Sequence, residues 1–598
     1  MPEKQSTQTQ SVKHKSRVGT AGRLRWAPAL LLGGVLLWPA AWAAGAVLFE
    51  GTRTWTQAYA PVAGSVGWSS LAAALPIVII FVFLAGLRRP ALTSALLGLL
   101  ATGALAVLVW GMPARLAVNS ALFGMLMAVF PILWTLLNAV WIFNMLVDSG
   151  YFDVLKRSLY RVTRDRRLQT LLIGFGFTTL LEAIAAFGAP IAIVAGMLVG
   201  FGFPPMLAAV ITLLSDTTIA SWGTQGMPVM VLNSVTDLDI GSLSAVIGLQ
   251  TPVATALFPP VVVLLVAGWK GLREVWPAAA AMGLAYLGVA VVTAFYTGPY
   301  IVGIAASLAA IATLLAILRF WSPRTTWLLD GDGEDEKGGA PDGEDLKPAT
   351  VLRAWSPYLL LVLVVGLVNS TTLKVWLARL WTVSIPWPGL HNAVMKTAPV
   401  TAGPEPYAAV YSQPVLAVGG TLVLAAGILA ALTLGVRPSR AAAIYALTLR
   451  QLLKPGGTIV MILGIAYLMN YSGMTYTIGL AFASTGFWFP MATVLLGMVG
   501  CTLAGSVAAS NALFGNLAVV GGQQLGLDPT FAAATLSSGG TMGKAVAFQD
   551  IVIATAALKL HNKEGELIRR VFWISILFAV FLGALAMAQQ HWLPALIR

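Results

Sequence analysis

The sequence predicts an all-α polytopic membrane bundle of about 12 to 14 transmembrane helices, with two inverted repeats that contain re-entrant hairpins and broken helices. Hydrophobic residues make up 58% of the 598 residues and charged residues only 10%, whereas a soluble domain is about a quarter charged. Many apolar segments reach the roughly 20 residues that a helix needs to cross the hydrocarbon core. Basic residues lie between these segments, as the positive-inside rule describes.

Composition also excludes several classes of protein. The net charge of +13 is spread over the loops between apolar segments, so it does not indicate a nucleic-acid-binding surface. A single cysteine, Cys501, rules out an internal disulfide or a zinc framework. The sequence has no HExxH or GxSxG motif and no cluster of His and Cys. We therefore expect no metal, no cofactor and no enzymatic activity.

The predicted spans can be ordered by the basic loops that separate them. Because six lysine and arginine residues precede the first apolar run, the N-terminus is predicted to be cytoplasmic; a cleaved signal peptide is the alternative for that run. The predicted spans lie at about 26–48, 66–87, 90–110, 121–147, 276–297, 301–320, 356–373, 411–435, 456–472 and 571–592.

The chain is predicted to divide into two halves that each contain one repeat. A basic tail with an extra span occupies residues 1–50, and the first half, 51–328, contains repeat 1 at about 121–236. An acidic, Gly-rich cytoplasmic linker follows at 329–353. The second half, 354–598, contains repeat 2 at about 456–560.

Two stretches that are poor in charge and rich in Gly, Pro and Ser indicate the repeat. Ser149-Gly150 corresponds to Ser472-Gly473, and Phe187-Gly188 corresponds to Phe514-Gly515, at separations of 323 to 327 residues. The basic loops give the two copies opposite directions across the membrane. Inverted repeats with interrupted helices place a binding site near the bilayer midplane, where helix N-termini favour an anion.

Two acids in these stretches are candidates for carrying a coupling ion. Glu182 lies in TTLLEAIAAFGAP and Asp216 lies in LLSDTTIASWGTQGMP. A charged carboxylate at membrane depth costs about 2.5 kcal/mol or more, so such groups are usually paired, hydrated or protonated. We predict that one of them couples transport to protons. The alternatives are a structural hydrogen bond for Glu182 and a helix cap for Asp216.

Polar residues in the same two stretches are the candidates for substrate binding. Lys544 follows a Gly-rich run and could bind a carboxylate, although snorkelling or a salt bridge with Asp550 is the alternative. The small residues could instead serve helix packing. The predicted substrate-binding residues are Ser215, Thr217, Gln225, Ser506, Ser510, Asn511, Ser537, Ser538, Lys544 and Gln549.

Short motifs in a fixed order link the chain to a known family. They include TWTQAYAP from residue 54, GWKGLREVWPA from 268, AWSPYLLL from 354, NYSGMT from 470, SNALFGN from 510 and SSGGTMGK from 537. Together they resemble the lactate permease family of bacteria over nearly the whole chain, from Trp55 to Gln589. The sequence departs from the family pattern at several polar positions.

The resemblance implies a proton symporter for lactate or a related small 2-hydroxy monocarboxylate in the bacterial cytoplasmic membrane. Its expected partners are the organic anion, protons and the lipid bilayer, and the sequence leaves open whether copies form a homo-oligomer. The alternatives are a sodium- or proton-coupled carrier of a different organic anion, such as a dicarboxylate, and a channel. The family usually has an acid at Val507 and none at Asp216, so we hypothesise that the coupling carboxylate has moved from the second repeat to the first.

Overall fold

The described part of the chain is an α-helical bundle. The structure is a computed structural model, and it describes residues 54–87, 89–185, 188–328, 347–368, 371–560 and 563–592. The predicted span at 26–48, most of the acidic linker and Phe187 lie outside the described residues. The predicted all-α polytopic fold is confirmed.

The first half contains fourteen described helices. Three π-helical stretches, Val82–Gly86, Ala128–Leu133 and Thr170–Phe177, continue or connect them. In chain order the helices are α1 Val66–Phe81, α2 Ala91–Leu108, α3 Ala114–Met127, α4 Trp134–Asp148, α5 Tyr151–Tyr160, α6 Arg166–Gln169, α7 Thr178–Ala185, α8 Ala189–Gly200, α9 Pro205–Thr217, α10 Gly223–Thr236, α11 Ile240–Gly248, α12 Thr251–Thr255, α13 Phe258–Tyr296 and α14 Val302–Phe320.

The second half contains ten described helices and most of the strand residues. Its helices are α15 Pro348–Val368, α16 Thr371–Leu380, α17 Gly419–Leu434, α18 Pro438–Ser472, α19 Met474–Phe482, α20 Phe489–Ala504, α21 Val507–Gln524, α22 Pro529–Gly543, α23 Phe548–Ala557 and α24 Glu564–His591. Three 3₁₀ turns connect helices, at Ala220–Trp222, Ala483–Trp488 and Lys544–Val546.

Nine helices in the described ranges are long and apolar enough to cross a membrane, or ten if one bent pair counts as a span. This number is lower than the predicted 12 to 14. The predicted span at 26–48 is outside the described residues, and Gly419–Leu434 is too short to count by length. Residues 240–296 count as one element although they contain α11, α12 and α13.

Short strands form two small sheets, which the sequence analysis did not predict. Strands β1 Trp55–Thr56, β3 Val394–Lys396 and β4 Glu405–Pro406 form one sheet, and β2 Thr382–Pro386 pairs with β5 Val410–Pro414 in another. β1 runs parallel to β3, and Trp55 pairs with Val394. The β1–β3 pairing ties the start of the first half to the loop of the second half.

Two interrupted helices cross each other at their breaks. The α9 and α10 segments are bent by 59°, and Thr224, Gln225 and Gly226 follow the break with left-handed backbone angles. The second interruption, at Lys544–Val546, separates α22 from α23. The breaks are joined by hydrogen bonds: the Thr217 hydroxyl donates to the Thr541 carbonyl and accepts from the amide of Ala545 at 3.1 Å.

Each interrupted helix follows a pair of helices that turn back on themselves. The first pair is α7 and α8, and the second is α20 and α21, with its turn at Gly505 and Ser506. Gly505 has a φ of +77°, and the Ser506 hydroxyl accepts a hydrogen bond from the amide of Ala509 at 3.1 Å, so this pair of residues ends one helix and begins the next. These features agree with the predicted hairpins and broken helices. That the halves are inverted copies stays a prediction.

Candidate functional site

A buried ion cluster joins the two halves at the helix breaks. The Lys544 ammonium contacts Glu182 Oε1 and lies 2.9 Å from Asp216 Oδ2. The side chains of Lys544, Glu182 and Asp216 are 8%, 3% and 1% exposed. Glu182 is on α7, Asp216 is on α9, and Lys544 begins the 3₁₀ turn after α22. Three residues that the sequence analysis selected therefore meet in one place.

Asp550 is a further carboxyl at this cluster, and the sequence analysis did not include it among the site residues. It lies in the first turn of α23 and is 2% exposed. Its Oδ2 atom has no hydrogen-bond partner among the described residues. When all three carboxyls are ionised and Lys544 is protonated, the cluster has two uncompensated negative charges. The signal that identified Glu182, an acid in a segment with little charge, could also have identified Asp550.

A cavity of about 130 Å³, called here the central cavity, lies against this cluster. Glu182, Lys544, Gln549 and Asp550 line one part of its wall, and Ser506 lies at the hairpin turn that borders it. A cavity of about 150 Å³ can accept benzene, which has six non-hydrogen atoms. The central cavity is therefore the size of a small organic ligand with a similar number of atoms.

Two glycines permit the close packing of this wall. A Cβ atom on Gly223 would lie 2.8 Å from Glu182 Oε1, and one on Gly505 would lie 2.7 Å from Gln549 Oε1. Contacts this short would displace the acceptor groups. Glycine at these two positions therefore allows the backbone to approach the polar side chains that face the cavity.

The first turn of α21 lies on the wall of the central cavity. Ser506, Val507, Ala508 and Ala509 all line it. The amide of Ala509 is bonded to the Ser506 hydroxyl, while the first amides of a helix have no carbonyl partner within it. The amides of Val507 and Ala508 belong to this group. A helix N-terminus carries a partial positive charge, which favours an anion there.

Several predicted substrate-binding residues are placed in helix contacts outside this wall. The Asn511 amide donates to the Pro228 carbonyl and to the Ser537 hydroxyl, both at 2.9 Å. Ser510 donates to the Gly497 carbonyl at 3.1 Å, and Ser538 accepts from Thr251 at 3.3 Å. With these contacts the hydroxyls and the amide join neighbouring helices.

Ser215 and Gln225 are buried next to the helix break. The Ser215 hydroxyl and both polar atoms of the Gln225 side chain have no hydrogen-bond partner in the described part of the chain. Gln225 also has a φ of +58°, which is uncommon for a residue with a side chain. Thr224, which was not predicted, does line the central cavity, and its hydroxyl is likewise unpartnered.

A second, more polar cavity of about 760 Å³ lies beyond the central cavity along the same helices. This polar vestibule is lined by Ser234, Lys396, Tyr467 and Tyr471, among others. Helices α10 and α18 contribute residues to both cavities. In the wall of the polar vestibule Tyr467 donates a hydrogen bond to the Ser234 carbonyl, and Asn470 donates to the Val235 carbonyl at 3.0 Å.

The family model and the curated relatives that match this chain indicate one family. The L-lactate permease family model matches residues 69–593. The chain is 35% identical to glycolate permease GlcA of Escherichia coli K12 over 90% of this chain and 98% of the relative. It is 33% identical to L-lactate permease of Bacillus subtilis 168 over 90% of this chain and 98% of the relative. A crystal structure of the Alcanivorax borkumensis YdaH transporter is 14% identical, with a TM-score of 0.41 over 76% of this chain and 84% of that chain.

Proposed function

This chain belongs to the L-lactate permease family, and we propose that it is a proton symporter for lactate or a related small 2-hydroxy monocarboxylate. Its apolar helices and its permease relatives make it a multi-pass protein of the bacterial inner membrane, and a transporter, not an enzyme. The substrate, the coupling ion and the transport mechanism are the proposed parts.

The substrate proposal is supported by the names of the relatives and by the central cavity. The relatives are named L-lactate permease and glycolate permease. Lactate has six non-hydrogen atoms, which suits a cavity of about 130 Å³. Lys544 and the first turn of α21 can bind one carboxylate. A dicarboxylate would need a further cationic group, and Lys544 is the one cation among the described residues that line this cavity.

The single observation that supports proton coupling is the set of three carboxyls around one ammonium. Glu182 and Asp216 lie within ion-pair distance of Lys544, Asp550 lines the same cavity wall, and all four side chains are buried. Each uncompensated charge at membrane depth costs about 2.5 kcal/mol or more. An entering anion adds a further negative charge, so its binding favours the uptake of a proton by one carboxyl. We propose that Glu182 or Asp216 takes this proton.

The transport mechanism we propose is alternating access between the two cavities. The central cavity reaches Ala91, Pro455 and Thr458, which lie next to the basic residues Arg89 and Lys454. By the positive-inside rule this is the cytoplasmic side. The polar vestibule then faces outward. We propose that the contacts of Tyr467 and Asn470, on helices α18 and α10 where they continue from the vestibule toward the central cavity, act as the gate. The same rule places the N-terminus in the cytoplasm.

The experiment that tests this function is uptake of labelled lactate, glycolate and succinate into proteoliposomes. We expect an inward-directed proton gradient to drive accumulation of the two 2-hydroxy acids, with no change when choline replaces sodium. Uptake that requires sodium would overturn the proton coupling. A preference for succinate would overturn the substrate class, and rapid flux insensitive to any gradient would indicate a channel.

A further inference from the structure

We propose that Asp550 forms the subsite for the 2-hydroxyl group of the substrate, and thereby selects 2-hydroxy acids over monocarboxylates without that group. This inference rests on the proposed function, because it assigns one part of the substrate to one residue of the same cavity. Neither the family match nor the relatives assign a role to this residue.

Asp550 is the carboxyl of the cluster whose charge is least compensated. Glu182 and Asp216 both lie within ion-pair distance of Lys544, whereas no ion pair to Asp550 within 4 Å is found in the described ranges. Its Oδ2 atom is buried and unpartnered, and the residue lines the central cavity. A buried acceptor with no donor is costly, so a ligand that brings an O–H group is favoured at this position.

The substrate carboxylate needs hydrogen-bond donors, and these are found on another part of the same cavity wall. Lys544 supplies an ammonium group, and the first turn of α21 supplies the amides of Val507 and Ala508. A 2-hydroxy acid has its carboxylate and its hydroxyl on adjacent carbon atoms. It can therefore place the carboxylate on these donors while its hydroxyl donates to Asp550.

Substrates that lack the 2-hydroxyl group should bind less well because they offer no hydrogen-bond donor to Asp550. Propionate leaves the Asp550 oxygen without a partner, and a site built to hydrogen-bond a substrate hydroxyl rejects such an analogue strongly. Pyruvate presents a carbonyl oxygen, which is an acceptor that faces another acceptor. The expected order of kcat/KM is lactate first, then propionate, then pyruvate.

The test is a comparison of lactate and propionate uptake by wild-type protein and by Asp550→Ala in proteoliposomes at one pH. We expect the ratio of kcat/KM for lactate to that for propionate to fall about tenfold or more in the variant, because a hydrogen bond to a charged group is lost. Asp550→Asn keeps an acceptor oxygen and should restore part of the ratio. Asp153→Asn removes an exposed carboxylate and should leave the ratio unchanged.

An equal loss for both substrates in Asp550→Ala would overturn the subsite. If that variant does not fold, competition in wild-type protein decides: 2-methoxypropionate has no hydroxyl donor and should compete at least about tenfold less well than lactate. Equal competition would overturn the proposal. Wild-type protein that transports no monocarboxylate would instead overturn the proposed function, so the two failures are distinguishable.

Discussion

Removal of the Lys544 ammonium gives the sharpest test of the ion cluster. The substitution Lys544→Met keeps a long side chain but removes the charge that compensates Glu182 and Asp216. The distance from Lys544 Nζ to Asp216 Oδ2 is 2.9 Å, which corresponds to an attraction of about 6 kcal/mol at an effective dielectric constant of about 20. Desolvation of the ions offsets part of this, and removal of one partner of a buried pair typically costs about 3–5 kcal/mol.

The cost should depend on pH in a defined direction. Removal of the ammonium leaves a buried group of carboxyls without a cation, so the free energy of unfolding should fall by about 3–5 kcal/mol. Because loss of a nearby cation favours proton binding by the carboxyls that remain, the difference from wild type should be smaller at pH 5 than at pH 8. The variant also lacks the ammonium group that we propose binds the substrate carboxylate, so lactate uptake should be abolished at both values of pH.

The assay is thermal unfolding of purified protein in detergent at pH 5 and pH 8, together with uptake in proteoliposomes. Lys270→Met removes an exposed lysine and serves as the matched control, with an expected change near zero. A stability loss in Lys544→Met that is the same at both values of pH, or no larger than the loss in the control, would refute the proposed electrostatic role.

Three further predictions concern coupling, packing and gating. Asp216→Asn should reduce proton-driven lactate uptake at least about tenfold, and unchanged uptake under a pH gradient would exclude a coupling role for Asp216. Gly223→Ala should lower uptake at least about tenfold because its Cβ would press on Glu182; Gly196→Ala, which has open space around it, should show wild-type rates. Tyr467→Phe removes a hydrogen bond at the proposed gate and should make the central cavity more accessible from outside. The reporter is Met227→Cys in a Cys501→Ser background, labelled with an impermeant maleimide added outside. We expect labelling to be about two- to tenfold faster with Tyr467→Phe than with Tyr467 present. An unchanged labelling rate would argue against a gate at this contact.

The residues of the ion cluster could be predicted because buried charge is expensive. An acid in a long segment with little charge needs a partner, and this reasoning selected Glu182 and Asp216. Lys544 was selected because it follows a Gly-rich run and could bind a carboxylate. The structure then placed them in contact. Asp550 meets the same criterion, but the sequence analysis considered it only as a salt-bridge partner of Lys544.

The roles of the hydroxyl and amide residues could not be predicted in the same way. Ser510, Asn511 and Ser537 have the composition of a polar binding site, yet their hydrogen bonds join neighbouring helices. Binding a substrate and joining two helices would satisfy the same hydrogen-bond donors and acceptors. The choice depends on how each helix is rotated about its axis, which the packing of both halves determines.

The number of spans and the small strands could not be predicted from the sequence either. Apolar segments indicate membrane depth, but they do not show where one helix ends inside a longer run, as in the 57-residue stretch from Ile240 to Tyr296. Strand β5, Val410–Pro414, pairs with β2, Thr382–Pro386, whose residues lie more than 20 positions away in the chain. Such pairing follows from tertiary contacts more than from local preference.

Proton uptake that accompanies substrate binding is the most direct test of proton coupling by the buried carboxyls. Purified protein in weakly buffered solution with a pH indicator is mixed with lactate, and the protons taken up are counted against the lactate bound. We expect a rise in pH, with about one proton taken up per lactate at saturation, and a smaller rise for Asp216→Asn. Saturable lactate binding with no change in pH would contradict the claim that the buried carboxyls carry the coupling proton.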